Sequence, residues 1–342
     1  MELYDIIIIG AGPAGLNCAK ALSECGKKIL LLEKKEVIGP KVCAGGLTMP
    51  DLEYLKIPDD ILGRKFDGVT VHSPLSKCDI GSEEYFICTI DRKTLGQWQL
   101  GKIDRSKIEI RTGTTVAGIE KDSIVLSDGE RIGFKYLVGA DGSNSLVRKY
   151  LGLKTESFGI GIQYVIPGWN CEKLEFFLDS NVFHAWYGWI FPHKDFVSVG
   201  CGANPKTFPL KQLRANFERW LKDMRIDVSK GRYEAHSINY DYRGYKFDNI
   251  FLAGDAAGLT SGLTGEGIYP ALISGEEIAK SILDGNYVSR EIEKLVSLKK
   301  TQEYILSLLE KSGPLRKVEF ELAVLFIKND YLRNKIKKFM LI

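Results

Sequence analysis

Two groups of residues carry most of the chemistry that this sequence can do. The first is Gly10-Ala11-Gly12-Pro13-Ala14-Gly15, which follows the β-branched run Ile6-Ile7-Ile8-Ile9 and opens a helical pattern over residues 16–25. In a strand–turn–helix unit, Gly10 permits the tight turn and Gly12 lets backbone approach a pyrophosphate. Gly15 lets the helix lie close on the strand. The free N–H groups and dipole of the helix then favour phosphate. A second apolar strand, residues 28–33, ends in Glu33, whose carboxylate can accept both ribose hydroxyls and would repel a 2′-phosphate. The second group is Gly254-Asp255-Ala256-Ala257-Gly258, after the short strand 249–253. Asp255 is placed there as an acceptor for a cofactor hydroxyl. Gly267 and Ile268 open the next helix, 268–283, whose N-terminal dipole favours negative charge on a bound group.

These groups need a sheet to hold them. The pattern predicts α/β architecture: a Rossmann-type dinucleotide domain built from sequence pieces 1–65, 94–150 and 236–285. Between the pieces, short alternating stretches predict an interleaved, mostly antiparallel substrate domain over 66–93 and 151–235. An amphipathic helix is expected over 210–224. Residues 286–342 read as a C-terminal helical tail, broken at Gly313-Pro314.

Composition narrows the class. There are 47 basic and 44 acidic residues among 342, a net charge of +3, so bulk charge points to no nucleic-acid partner. The cysteines at 18, 25, 43, 78, 88, 171 and 201 are odd in number and hold no C-x-x-C pair, so neither a disulfide framework nor a zinc site is expected. His72, His184, His193 and His236 are scattered and away from acidic clusters, and no metal site is expected. The chain starts directly in a strand, with no basic leader, and no apolar run approaches the ~18 residues of a membrane span. A cytoplasmic protein is expected. The stretch 318–342 mixes apolar residues with Lys328, Arg333, Lys335, Lys337 and Lys338. It reads either as a peripheral membrane contact or as a terminal helix docked on the domain.

The two glycine motifs, together with Asp141-Gly142-Ser143-Asn144-Ser145-Leu146-Val147-Arg148, resemble the p-hydroxybenzoate-hydroxylase-like flavoproteins. Lys41-Val42-Cys43-Ala44-Gly45-Gly46-Leu47, Tyr187-Gly188-Trp189-Ile190-Phe191-Pro192 and the run from Gly254 through Gly267-Ile268 are similar to motifs of the geranylgeranyl reductase family, over roughly residues 1–285. The resemblance implies FAD as cofactor, with contacts at Ala14, Glu33, Cys43, Ala44, Gly46, Arg92, Val116, Asp255, Gly267 and Ile268. It implies reduction of isolated C=C bonds in a prenyl chain of a lipid or quinone. Cys43 is then either a catalytic thiol beside the flavin or a small residue packed there. Tyr187 and Trp189 share a strand face opposite Trp186 and either line the prenyl site or fill the sheet core. His184 and Tyr187 are both candidate proton donors. Ala44 stands where many relatives have another glycine, and the tail is shorter than in many of them. Three other readings remain: an aromatic-hydroxylase-type monooxygenase, a halogenase, and an electron-transfer dehydrogenase. The first usually carries His and Pro where Gly258 and Gly262 stand, and the last a cysteine-rich cluster. No second G-x-G-x-x-G is present, so electrons are expected from transiently bound NAD(P)H or a small redox protein.

Overall fold

The computed structural model describes residues 1–329. The chain divides into two compact units, each assembled from three stretches: 1–41, 92–158 and 238–300 in the first, and 42–91, 159–237 and, among the described residues, 301–329 in the second.

The first unit is built on a sheet whose central strands are parallel, with Lys246–Phe247 and the strands Val116–Ile119 and Ser123–Leu126 added antiparallel. Its strands lie in the order Lys246–Phe247, Ile250–Leu252, Arg131–Gly139, Glu2–Ile9, Ile29–Leu32, Ile108–Arg111. The central strand is buried on both sides, as its unbroken isoleucine run requires. Ile6 and Ile8 join one core, and Tyr4, Ile7 and Ile9 join the other. Register fixes where the strands end. Ile9 lies opposite Leu32 and Gly139, and Gly139 lies opposite Leu252. The residues that come next, Gly10, Glu33, Asp141 and the Asp255 loop, therefore emerge along one carboxyl edge. The helix Pro13–Leu22 crosses the helix Ile268–Leu283 closely, because a side chain at Gly275 would start 2.2 Å from the Ala14 carbonyl oxygen.

The second unit is a seven-stranded, mainly antiparallel sheet ordered Arg232–Asn239, Phe158–Pro167, Phe196–Ala203, Gly188–Pro192, Leu174–Phe177, Gly68–His72, Lys77–Gly81. The two-residue period gives it two distinct faces. Ile162, Ile166, Ile190, Val197, Val199 and Cys201 point to the amphipathic helix Leu210–Asp223, which buries Leu213, Phe217, Trp220 and Leu221 against them. The alternate residues Gln163, Phe176, Trp189, Phe191 and Ser198 occupy the other face.

The boundaries differ from the expected ones in two places. Residues 42–65 group with the second unit, because the strand Gly46–Thr48 pairs with Ile87–Thr89 in a small three-stranded sheet. The tail is not a separate segment. Residues up to 300 group with the first unit, where Lys299 donates to the Thr260 carbonyl at 2.7 Å. The helix Arg316–Lys328 packs Val324 beside Val71 and Cys78 of the second unit. The final basic stretch, from 330, lies outside the described residues.

Candidate cofactor and substrate sites

The Gly10–Gly15 turn has the geometry that a dinucleotide demands. Gly10 has φ +101°, and a Cβ there would lie 2.4 Å from the Ala140 carbonyl oxygen. A Cβ at Gly15 would lie 1.9 Å from the Gly10 oxygen. At Gly12 a Cβ would meet nothing within 4 Å, so the N-terminus of the helix Pro13–Leu22 opens onto free space. Pro13 at its first position forgoes only an N–H with no intrahelical partner. Glu33 closes this cradle: one carboxylate oxygen accepts from the Ala11 amide at 2.9 Å and the other from the Lys35 amide at 3.0 Å. The Thr114 amide donates to the Glu33 carbonyl at 2.9 Å. That places Val116, at the start of the strand Val116–Ile119, two residues from the acid's own backbone partner. Arg92 begins the helix Arg92–Leu100 and is buried, with no partner for its Nε. An open phosphate cradle, an acid over the turn and a buried unsatisfied cationic donor fit FAD.

Asp255 is held more tightly than the sequence suggests. Its Oδ2 accepts from Lys41 Nζ at 2.9 Å and Ser143 Oγ at 3.0 Å, and its Oδ1 accepts from Thr260 Oγ1 at 2.6 Å. Burial alone would raise its pKa. The charge and hydrogen bond of Lys41, with the two hydroxyls, outweigh burial and hold the carboxyl at about 2. A carboxylate offers about four acceptor directions, so roughly one remains for a ligand hydroxyl. At the start of the helix Ile268–Leu283, the amides of Ile268 and Tyr269 donate to Glu266 Oε1 at 2.9 and 3.0 Å. The positive end of that dipole thus already faces a carboxyl. Burial pushes the Glu266 carboxyl up, against the pull of those amides and of Arg92.

In the second unit, Cys43, Ala44 and Gly46 lie on one pinned loop. The Cys43 carbonyl accepts from Gln163 Nε2 at 3.3 Å, the Ala44 carbonyl from His193 Nε2 at 2.8 Å, and the Gly45 carbonyl from the Ile90 amide at 2.8 Å. The His193 contact requires the Nε2–H tautomer, and burial lowers the pKa of this imidazole. Cys43 Sγ accepts from the Gly45 amide at 3.4 Å, and all seven cysteines are free thiols. The loop meets an aromatic wall, where a Cβ at Gly46 would lie 2.8 Å from the Phe191 ring. Phe176 packs edge-on to Tyr187 at 5.6 Å and to Phe191 at 5.3 Å, and Tyr187 packs edge-on to Trp189 at 6.2 Å. Tyr187 and Trp189 therefore share a wall. Trp186 lies elsewhere, over Gly159 and Gly202.

His184 stacks on Phe208 at 5.0 Å. Burial, then the charge of Arg316, brings its pKa down to about 4. It is uncharged at neutral pH and a poor proton source. His72 Nε2 meets a single carboxylate, Glu175 Oε2, at 2.5 Å, because the parallel pairing of Gly68–His72 with Leu174–Phe177 brings the two together. Among the described residues, no cluster of His, Cys, Asp or Glu could hold a metal ion. Sequence reasoning also passed over Lys41, Thr260 and Glu266 as partners of the cofactor motifs. All three stand inside the quoted motifs; the partner of Lys41 lies 214 positions away, while Thr260 and Glu266 bond groups within a few residues of themselves.

Two family models match the chain. One described as an FAD binding domain matches residues 104–273, and one described as pyridine nucleotide-disulphide oxidoreductase matches residues 4–161. With the cradle above, they define an FAD-dependent oxidoreductase. A digeranylgeranylglycerophospholipid reductase of Methanocaldococcus jannaschii is 28% identical, across 93% of this chain and 88% of its own length. A geranylgeranyl diphosphate reductase of Rhodobacter capsulatus is 27% identical, across 82% of this chain and 75% of its own. The solved structure of a geranylgeranyl bacteriochlorophyll reductase-like protein from Thermoplasma acidophilum shares the fold, with a TM-score of 0.78, 19% identity, and coverage of 99% of this chain and 100% of that one. Within its class, the chain is similar to the geranylgeranyl reductases along most of its length.

Proposed function

We propose that this flavoprotein reduces isolated C=C bonds in a geranylgeranyl-type prenyl chain of a lipid or quinone. The observation that carries this reading is the wall of Phe176, Tyr187, Trp189 and Phe191 abutting the Cys43–Gly46 loop. A continuous apolar aromatic surface suits a hydrocarbon chain and excludes water from it. Saturation adds two hydrogens to each double bond, one as hydride and one as a proton; reduced FAD, when bound, supplies the hydride. The chain's own residues do the rest. Gly12, Glu33, Arg92, Val116, Asp255, Gly267 and Ile268 hold the cofactor, with Cys43, Ala44 and Gly46 against it. Tyr187 and Trp189 hold the alkene. The proton comes from water, Cys43 or Tyr187 rather than from His184. The electrons come from NAD(P)H bound transiently or from a small redox protein.

The lipid character of such a substrate suits peripheral contact with a membrane. Val318, Leu322, Leu325 and Phe326, all exposed on the helix Arg316–Lys328, are the surface for it. No helix among the described residues is long and apolar enough to cross a membrane.

The test is anaerobic single turnover of dithionite-reduced holoenzyme with a panel of geranylgeranyl lipids and prenyl quinones, read by mass spectrometry. A gain of two hydrogens per double bond is expected. Unchanged lipid masses together with oxygen-dependent hydroxylation or halogenation of an aromatic compound would replace this reading with a monooxygenase or halogenase. Reoxidation by quinone or a redox protein alone would make the protein an electron-transfer dehydrogenase.

A further inference from the structure

On the face of the second sheet opposite the helix Leu210–Asp223, four side chains form a hydrogen-bonded line. Trp189 Nε1 donates to Ser198 Oγ at 3.1 Å, and Ser198 Oγ donates to Gln163 Oε1 at 2.9 Å. Gln163 Nε2 donates to Glu234 Oε2 at 2.8 Å and to the Cys43 carbonyl at 3.3 Å. Its direction is forced. An indole N–H only donates, while a carboxylate and a backbone carbonyl only accept, so the hydroxyl and the amide have one consistent orientation each. Ser198 is 0% and Gln163 2% exposed. The opposite face of the same strands is filled with Ile, Val and Cys at lower desolvation cost. A buried polar line of this kind costs free energy unless every member is bonded, and when all are bonded it specifies one geometry.

Both ends of the line matter. One end is the indole of the aromatic wall, and the other is the carbonyl of Cys43. The indole is itself seated by Gly200, where a Cβ would lie 2.3 Å from its ring. We propose that Gln163 is a positioning residue for the prenyl reduction proposed above, on which this inference rests. It locks the Trp189 ring and the Cys43–Gly46 loop into one frame, so that the surface that holds the alkene and the loop assigned to the flavin keep a fixed spacing.

The test uses holoenzyme carrying Gln163→Glu. When ionised, that side chain has no proton for either Glu234 or Cys43; when protonated, it regains one donor and still accepts from Ser198. The charged and titratable groups around it are Glu234 with its partner Arg232, the Cys43 thiol, and His193, which donates to the adjacent Ala44 carbonyl. Wild type shares all of these, so the variant-to-wild-type ratio isolates position 163. That ratio of kcat/KM for prenyl saturation is expected to fall about tenfold at pH 8 and to recover toward pH 6, with FAD content unchanged. Gln163→Met, which never regains a donor, is expected to lose activity equally at both pH values. A readout independent of turnover is the Trp189 indole N–H resonance, assigned by its absence in Trp189→Phe. It should move with pH in Gln163→Glu and stay fixed in wild type. Equal activity of both variants and wild type, or a pH-independent indole signal with wild-type turnover intact, would overturn the positioning role alone. A wild type that saturates no prenyl chain would overturn the reductase reading itself.

Discussion

The carboxyl edge of the parallel strands and the face of the antiparallel sheet opposite the helix Leu210–Asp223 solve different problems. The edge is a matter of backbone. Gly10, Gly12 and Gly15 matter for the atoms they lack, and Glu33 and Asp255 sit where strands end in register. The face is a matter of side chains. Phe176, Tyr187, Trp189 and Phe191 bring bulk, and Ser198 and Gln163 bring orientation. A backbone site tolerates almost no added atom, whereas a side-chain site tolerates substitution at graded cost.

That contrast orders the expected effects. Gly15→Val should be the most damaging. Its Cβ has no room beside the Gly10 carbonyl, and overpacking in so rigid a turn costs about 3 kcal/mol or more. Thermal denaturation and the FAD-to-protein ratio report it, and a stable yellow variant would break the comparison at its root. Asp255→Asn comes second. The carboxyl's folded pKa of about 2 lies below its ordinary 3.8. Its contribution, ~2 kcal/mol, is therefore complete above pH 4 and fades as pH falls from 4 toward 2. Urea unfolding of variant and wild type should differ at pH 7 and converge near pH 2; a gap that persists at pH 2 would mean that the ion pair with Lys41 is not its source. Glu33→Arg should weaken FAD about tenfold by removing an acceptor and adding a cation, as read by isothermal titration. An unchanged Kd would detach Glu33 from the ribose. Gly200→Ala should leave FAD binding intact and raise KM for a prenyl substrate several-fold by displacing the Trp189 ring. Equal loss of FAD would show that the two regions are not separable. His184→Gln should do least, changing kcat at pH 7 by less than about twofold. The imidazole pKa falls from 6.5 to about 4 on folding. The stability it lends as a neutral group is thus present above pH 6.5 and is lost as pH drops toward 4. A histidine proton resonance titrating near 6.5 would contradict this.

The same contrast explains which parts of the molecule are legible in the sequence. Gly10 to Gly15 with Glu33 lie within one strand–helix–strand unit, so their spacing alone implies their geometry. The face pairing of Tyr187 with Trp189 comes from a two-residue period. Lys41 beside Asp255 is not legible, since 214 positions separate them and only the closed sheet brings them together. Gln163 gives no signal, because a lone glutamine in an alternating strand looks like a solvent-facing residue until register turns it inward. Residues 42–65 are expected with the cofactor pieces because they adjoin them in sequence. Their grouping rests instead on the pairing of Gly46 with Thr89, a contact that a local pattern does not contain.

The interleaving of the two units also bears on how the chain is made. The strand Glu2–Ile9 leaves the ribosome well before its partner Arg131–Gly139, which comes more than a hundred residues later, and that strand's other neighbour, Ile250–Leu252, later still. At about 5–20 residues per second, the isoleucine run waits on the order of ten seconds or more for its sheet to close. The strand Ile29–Leu32 can cover one edge early, but through that interval the other edge of an apolar strand stays open, the condition under which nascent chains aggregate. Folding yield should therefore depend on translation speed and on holdase chaperones far more than the stability of the finished protein would suggest.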